Sequence, residues 1–124
     1  MTNESPQTSA VPLTLAHWVE KGHALKSRSL LAEAVEAYLH ALQIDGAHAD
    51  SWRFLGNAYY NLGQFPQARK AYEISSLLDP DEPKIWMNLA NTYAHLRMQP
   101  ESESCRNRGH AMIASNHSKY PENK

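Results

Sequence analysis

The chain has 124 residues, with 12 Lys and Arg against 13 Asp and Glu, a formal net charge of −1 and 42% hydrophobic residues. That length supports one domain, and the charge balance argues against a dedicated nucleic-acid or membrane-surface binder, which would show a basic excess. A single cysteine, Cys105, excludes an intrachain disulfide and a cysteine-built metal centre, and the apolar runs are too short for a membrane-spanning helix.

Residues 1–12 are polar, proline-containing and aperiodic, so a disordered N-terminal tail is expected there. They show neither a basic leading region nor an apolar core, so no secretory signal is expected. The sequons at Asn3 and Asn116 carry no meaning without secretion.

Helical periodicity then begins. Six helices are expected, over about 14–27, 31–44, 49–62, 65–78, 83–96 and 100–115. The first carries Trp18, Gly22 and Leu25; the second carries Ala34, Tyr38, Ala41 and Ile44. Thirty-four residues on, Trp52, Gly56 and Tyr59 repeat the first set, and Ala68, Tyr72, Ser75 and Leu78 repeat the second. A further 34 residues bring Trp86, Ala90 and Tyr93, then Ser102, Arg106, Gly109 and Met112. Small stays small and large stays large at most places, the signature of an internal repeat.

The offsets 3, 4 and 7 in Trp52-x-x-Leu55-Gly56-x-x-Tyr59 lie on one helical face. So do the offsets 4 and 7 in Ala68-x-x-x-Tyr72-x-x-Ser75. Gly56 and Ala68 let two helices cross closely while the aromatic rings fill the flanking holes. Gly63 suits a left-handed helix stop. Asp79-Pro80 ends a helix because Pro80 disfavours the helical conformation before it, and Pro83 suits a first helical turn. The expected core includes Trp18, Leu25, Leu31, Ala34, Tyr38, Ala41, Leu42, Ile44, Trp52, Leu55, Gly56, Tyr59, Leu62, Phe65, Ala68, Tyr72, Leu78, Trp86, Leu89, Tyr93 and Leu96, with Trp52→Ala costing about 3–5 kcal/mol.

The middle segment, Trp52-x-x-Leu55-Gly56-x-x-Tyr59 … Ala68-x-x-x-Tyr72 … Pro80, closely resembles the tetratricopeptide repeat. The resemblance implies an all-α, right-handed solenoid of three helix-turn-helix repeats, at about 15–48, 49–82 and 83–116, within a domain at 13–116 that is followed by a flexible tail at 117–124. The first repeat departs at Lys21, Ser29 and Gly46; the third departs at Ser102 and Arg106. Atypical end repeats suit a solenoid, because a terminal helix with a polar face closes the stack. Glu101, Glu103, Arg106, Asn107 and Arg108 could supply that face, with Cys105, Met112 and Ile113 turned inward.

Catalytic chemistry finds no motif. The five glycines make neither a phosphate loop nor a dinucleotide fingerprint, and no nucleophile elbow occurs. None of the seven histidines lies three or four residues from another, so no helix face offers a pair of metal ligands. Cys105 reads as a small packed side chain rather than a nucleophile. The expectation is a protein that is not an enzyme and takes no metal or cofactor.

Binding remains. In the resembled family the first helix of each repeat lines a concave groove. The corresponding residues here are His23, Lys26, Arg53, Asn57, Tyr60, Asn61, Lys84, Met87, Asn91 and His95. Asn57 and Asn91 stand in register, and an asparagine amide can donate to and accept from a peptide backbone at once; the bland reading is that both face water. The family's clamp for acidic chaperone C-termini looks broken, with Val19 and Met87 where its lysines would stand and Asn91 where its arginine would. A ligand of mixed charge is expected, with Tyr60 as an aromatic anchor and micromolar affinity. The expected partner is an extended segment of another protein, with neither nucleic acid nor membrane, in a cytoplasmic adaptor or chaperone-like role. The alternative is a structural subunit that self-associates as a weak homo-oligomer.

Overall fold

The computed structural model describes residues 13–119. The expected N-terminal tail, residues 1–12, lies outside the described residues, as do positions 120–124 of the expected C-terminal tail. Six helices follow in order: α1 (Leu15–Ser27), α2 (Leu31–Ile44), α3 (Ala49–Asn61), α4 (Phe65–Leu78), α5 (Pro83–His95) and α6 (Gln99–Lys119). No strand occurs among the described residues, and no helix among them is long and apolar enough to cross a membrane.

The helices pair as hairpins α1/α2, α3/α4 and α5/α6. Successive hairpins join through α2 against α3 and α4 against α5, while α3 also meets α5. This is the three-repeat solenoid that the resemblance implies. Five helices fall within a residue of expectation at both ends, and α6 does so at its start; at its end α6 runs on from the expected 115 to Lys119, so the first residues assigned to the C-terminal tail continue the helix.

The same local devices recur from repeat to repeat. The side chains of Thr14, His48 and Glu82 each accept from a backbone N–H of the helix that follows, satisfying a donor the helix itself leaves open. The turns inside the hairpins place Ser29, Gly63 and Arg97 at φ of 63°, 78° and 62°. Only Gly63 takes that left-handed conformation without steric cost. Trp52 Nε1 donates to the Gly46 carbonyl at 2.8 Å, and Trp86 Nε1 donates to the Pro80 carbonyl at the same distance. Each indole thus pins the turn that leads into its own repeat.

Close crossings fall where the small residues stand. A Cβ added at Gly56 would lie 2.7 Å from the Tyr72 ring, and one added at Gly22 would lie 2.4 Å from the Tyr38 ring. Two apolar clusters result. One gathers Ala34, Val35, Tyr38, Leu42, Leu55, Ala58 and Ala71; the other gathers Ala68, Tyr72, Ile85, Leu89, Ala90 and Cys105. Ser102, which departs from the usual alanine, is fully buried and donates its hydroxyl to the Ala90 carbonyl at 2.8 Å.

Several core expectations are corrected. Ile44 and Leu78 are 50% and 41% exposed: each is the last residue of its helix, on a face turned to solvent. Leu62, just past the end of α3, is also exposed, as is Ile113 on α6. The three tryptophans are half-buried at the repeat edges, not central. Two are covered by the residue 22 positions on: His40 stacks on Trp18 with centroids 4.2 Å apart, and the Arg108 guanidinium sits 4.3 Å from the Trp86 centroid; Ile74, at the same offset from Trp52, lines a cleft with it.

Candidate binding groove

The first helices α1, α3 and α5 bring five of the ten expected groove residues to one hollow of about 200 Å3: Lys26, Asn57, Tyr60, Asn61 and Asn91, joined there by Tyr72 and Asn88. A neighbouring hollow of about 220 Å3 shares Tyr60 and Asn91 and adds Ala94 and His95. The His95 ring stacks on Phe65 with centroids 4.2 Å apart, and Tyr60 meets both rings edge-on. Tyr60, expected as an aromatic anchor, therefore stands between a polar hollow and an aromatic one.

Asn57 differs from the expectation in one respect. Its side-chain oxygen accepts from the Tyr72 hydroxyl and from Asn88 Nδ2, the latter at 3.3 Å. With the oxygen engaged, its amide N–H groups are what Asn57 has for the groove, so it is a fixed donor rather than a two-way amide. Tyr72 is 2% exposed, and burial, with Tyr60 adding to it, raises its hydroxyl pKa, so it stays a neutral donor. In the first repeat the same brace joins Tyr38 Oη to His23 Nδ1 at 2.7 Å. Burial chiefly, then the Lys26 and Arg53 charges against the opposing Glu20, lowers the His23 pKa. Burial also raises the Tyr38 hydroxyl pKa to about 12, so a neutral phenol faces the imidazole. The third repeat has Arg106 where the tyrosine would be, so Asn91 stands exposed without the brace.

The other expected residues sit apart from the hollow. Arg53 keeps a side chain that is 15% exposed, with Nη2 3.6 Å from Asp50 Oδ1 and its guanidinium 4.9 Å from the Phe54 centroid. Its Nε is buried without a hydrogen-bond partner among the described residues. Lys84 is exposed in the first turn of α5. Met87 packs toward α6, where its sulfur lies 2.6 Å from where a Cβ on Gly109 would be. Gly109 lacks that carbon, and Met87 fills the gap.

Two contributors escaped sequence reading. Asn88 lies one helical turn before Asn91, a spacing that places both on one face, but its place in the period is occupied by Glu20 and Phe54 in the other repeats. Tyr72 reads as core, which it is; its hydroxyl alone reaches the groove. Cys105 is buried, and burial raises its thiol pKa, as expected of a packed side chain.

The model described as "TPR repeat" matches residues 56–96, and the one described as "Tetratricopeptide repeat" matches residues 18–48. Among curated proteins, Protein O-mannosyl-transferase TMTC1 of Homo sapiens is 34% identical over 70 residues, which is 56% of this chain and 8% of that protein. The Mus musculus counterpart matches equally, over 7% of its length, so the chain spans under a tenth of these relatives. Among solved structures, MamA superimposes with a TM-score of 0.82 at 17% identity, covering 85% of this chain and 61% of that one. The second TPR of Spaghetti (RPAP3), bound to HSP90 peptide SRMEEVD, gives a TM-score of 0.78 at 18% identity over 80% and 92%. PcrH, in complex with the chaperone binding region of PopB, gives 0.79 at 22% identity over 86% of each chain. At these identities the structural likeness speaks for the fold.

Proposed function

The chain belongs to the tetratricopeptide repeat family, and from that premise we propose a non-catalytic module that holds an extended segment of another protein along α1, α3 and α5, as an adaptor or chaperone-like binder in the cytoplasm. The observation that carries this reading is the polar hollow, in which Asn57 is held as a donor beside Lys26, Asn61 and Asn91. Fixed N–H groups at that place suit the main-chain carbonyls of an extended ligand. The Tyr60, Phe65 and His95 cluster supplies an aromatic surface beside it. Two of the structural neighbours hold peptide segments of other proteins, by their descriptions.

A head-to-tail self-associating subunit fits less well. On α2 the residues at the junction with the next repeat include Val35, Leu39 and Leu42; the corresponding residues of α6 are Glu103, Asn107 and His110. An outward face of that polarity closes a stack rather than extending it.

Lys26→Glu combined with Asn91→Ala tests the reading, because neither residue carries a fold contact described above. Partner capture from the native source should fall at least tenfold while helicity and mass stay constant. Unaltered capture would place the binding surface elsewhere on the molecule.

A further inference from the structure

The 34-residue period relates cavities as well as residues. Between α3 and α4, Trp52, Leu55, Tyr59, Ala71 and Ile74 form a cleft, and Leu39 of the preceding α2 lies in its wall. Subtracting 34 from these numbers gives Trp18, Lys21, Leu25, Ala37 and His40, and these line a cleft of about 500 Å3 between α1 and α2. The second is the first repeat's copy of the first. It differs in that, among the described residues, no helix stands before α1 in the place that α2 takes one repeat later.

Its rim also has a different charge. Glu33 and Glu36 line it where Gln67 and Lys70 stand in the second repeat, and both carboxylates are exposed. Lys21 Nζ lies 5.3 Å from the Trp18 centroid, so that ammonium is engaged by the indole face. The floor is apolar, from Trp18, Leu25 and Ala37, and two carboxylates border it.

Two occupants from this chain itself do not match. Residues 1–12 contain no Lys or Arg, and Ser5 stands 34 residues before Leu39. A second copy presenting α6 would bring Glu103 and Asn107, a further carboxylate against two others and no apolar side chain for the floor. One repeat later α2 brings Val35 and Leu42 into one apolar cluster with Trp52, Leu55 and Ala71, while Leu39 in the cleft wall stays 41% exposed; what the first repeat's rim adds is negative charge.

We propose that the α1/α2 cleft is a second docking site, separate from the groove, for an amphipathic helix of another polypeptide that offers a leucine-sized side chain flanked by arginine or lysine. The helix would lie where a preceding repeat's second helix lies, its leucine on Trp18, Leu25 and Ala37, its basic residues meeting Glu33 and Glu36. None of the residues lining this cleft lines the polar hollow between α3 and α5, so the proposal stands apart from the function argued above.

The test uses the full chain and a synthetic amphipathic peptide of about 15 residues, long enough to form a helix when bound, with a central leucine and arginines one turn to either side. Binding is read by fluorescence polarisation and located by shifts in the amide and indole NMR signals. Expected are shifts at Trp18, Leu25 and Ala37, and a loss of about tenfold in affinity when the leucine becomes alanine. Glu33→Lys with Glu36→Lys, both exposed and so compatible with folding, should abolish binding of the arginine peptide and admit a glutamate version. Equal binding of the alanine peptide, indifference to the charge reversal, or shifts at Asn57 and Asn91 instead would each overturn the proposal. A concentration-dependent rise in the mass of the protein alone, blocked by Glu33→Lys, would overturn it in favour of self-association. Lys26→Glu with Asn91→Ala should leave peptide binding here unchanged, so failure of the groove reading and failure of this one are told apart.

Discussion

The hydroxyl of Tyr72 on α4 is hydrogen-bonded to the side-chain oxygen of Asn57 on α3, fifteen residues earlier. A buried ring thereby fixes the orientation of a groove amide, and the core of the repeat sets the chemistry of its surface. Tyr72→Phe keeps the ring and removes the bond. It should cost about 1–2 kcal/mol in urea unfolding and weaken partner capture, since the Asn57 oxygen is then held only by the 3.3 Å contact from Asn88 Nδ2.

The glycine crossings make a sharper pair. Gly56→Ala drives a methyl to within 2.7 Å of Tyr72, whereas at Gly46 the nearest atom lies 3.5 Å from the new carbon. Gly56→Ala should destabilise by about 1–3 kcal/mol and Gly46→Ala by much less, as measured by thermal melts of the two variants in parallel.

Ser29 and Arg97 occupy the left-handed conformation that Gly63 adopts in the middle turn. For a residue with a Cβ this conformation carries about 1–2 kcal/mol of strain, partly offset by the greater freedom of glycine in the unfolded chain. Ser29→Gly and Arg97→Gly should therefore each stabilise by roughly 0.5–1 kcal/mol, visible as a raised urea midpoint at constant slope. Unchanged or lowered midpoints would contradict the strain.

His23 gives the molecule a pH dependence. Burial above all holds its pKa below the ordinary 6.5, so the unfolded chain binds a proton before the folded one does. The neutral-ring contribution to stability is in full effect above pH 6.5 and is lost as the pH falls through the folded value. Melting temperature should drop between pH 7.5 and pH 5, and His23→Gln should flatten part of that slope.

Trp52 is half-buried, and its indole N–H is bound to Gly46. Trp52→Phe retains most of the apolar contact and should cost about 1 kcal/mol through the orphaned Gly46 carbonyl. Trp52→Ala should cost at least 3 kcal/mol, at the low end for a large core aromatic because one edge already faces water; chemical denaturation of both variants checks the order.

Repeats were legible because their packing is local and identical: Trp18, Trp52 and Trp86 mark equivalent spots on α1, α3 and α5, and Gly22 and Gly56 mark equivalent crossings. The exposure of Ile44 and Leu78 was not legible, since helix periodicity identifies a face without saying where the facing helix stops. The groove was half legible. Lys26, Asn57, Tyr60, Asn61 and Asn91 share a hollow because fixed offsets from the tryptophan fix direction on the helix. Met87 has the offset of Arg53 but closes on Gly109, a departure in another helix that single-helix reasoning does not see. The Asn57 amide orientation also depends on its partners, Tyr72 and Asn88, in two other helices.

The two junctions between hairpins are unequal. Leu39 stands at the first, and 34 residues on Glu73 stands at the second, bound by Arg69 at 3.1 Å and by the Tyr93 hydroxyl at 2.5 Å. A contact built partly from charge weakens in salt, whereas the apolar contact of Val35 and Leu42 with Leu55 at the first junction does not. Under such stress the array should unzip from its carboxyl-terminal hairpin, and amide hydrogen exchange would record α5 and α6 opening while α1 through α4 remain closed.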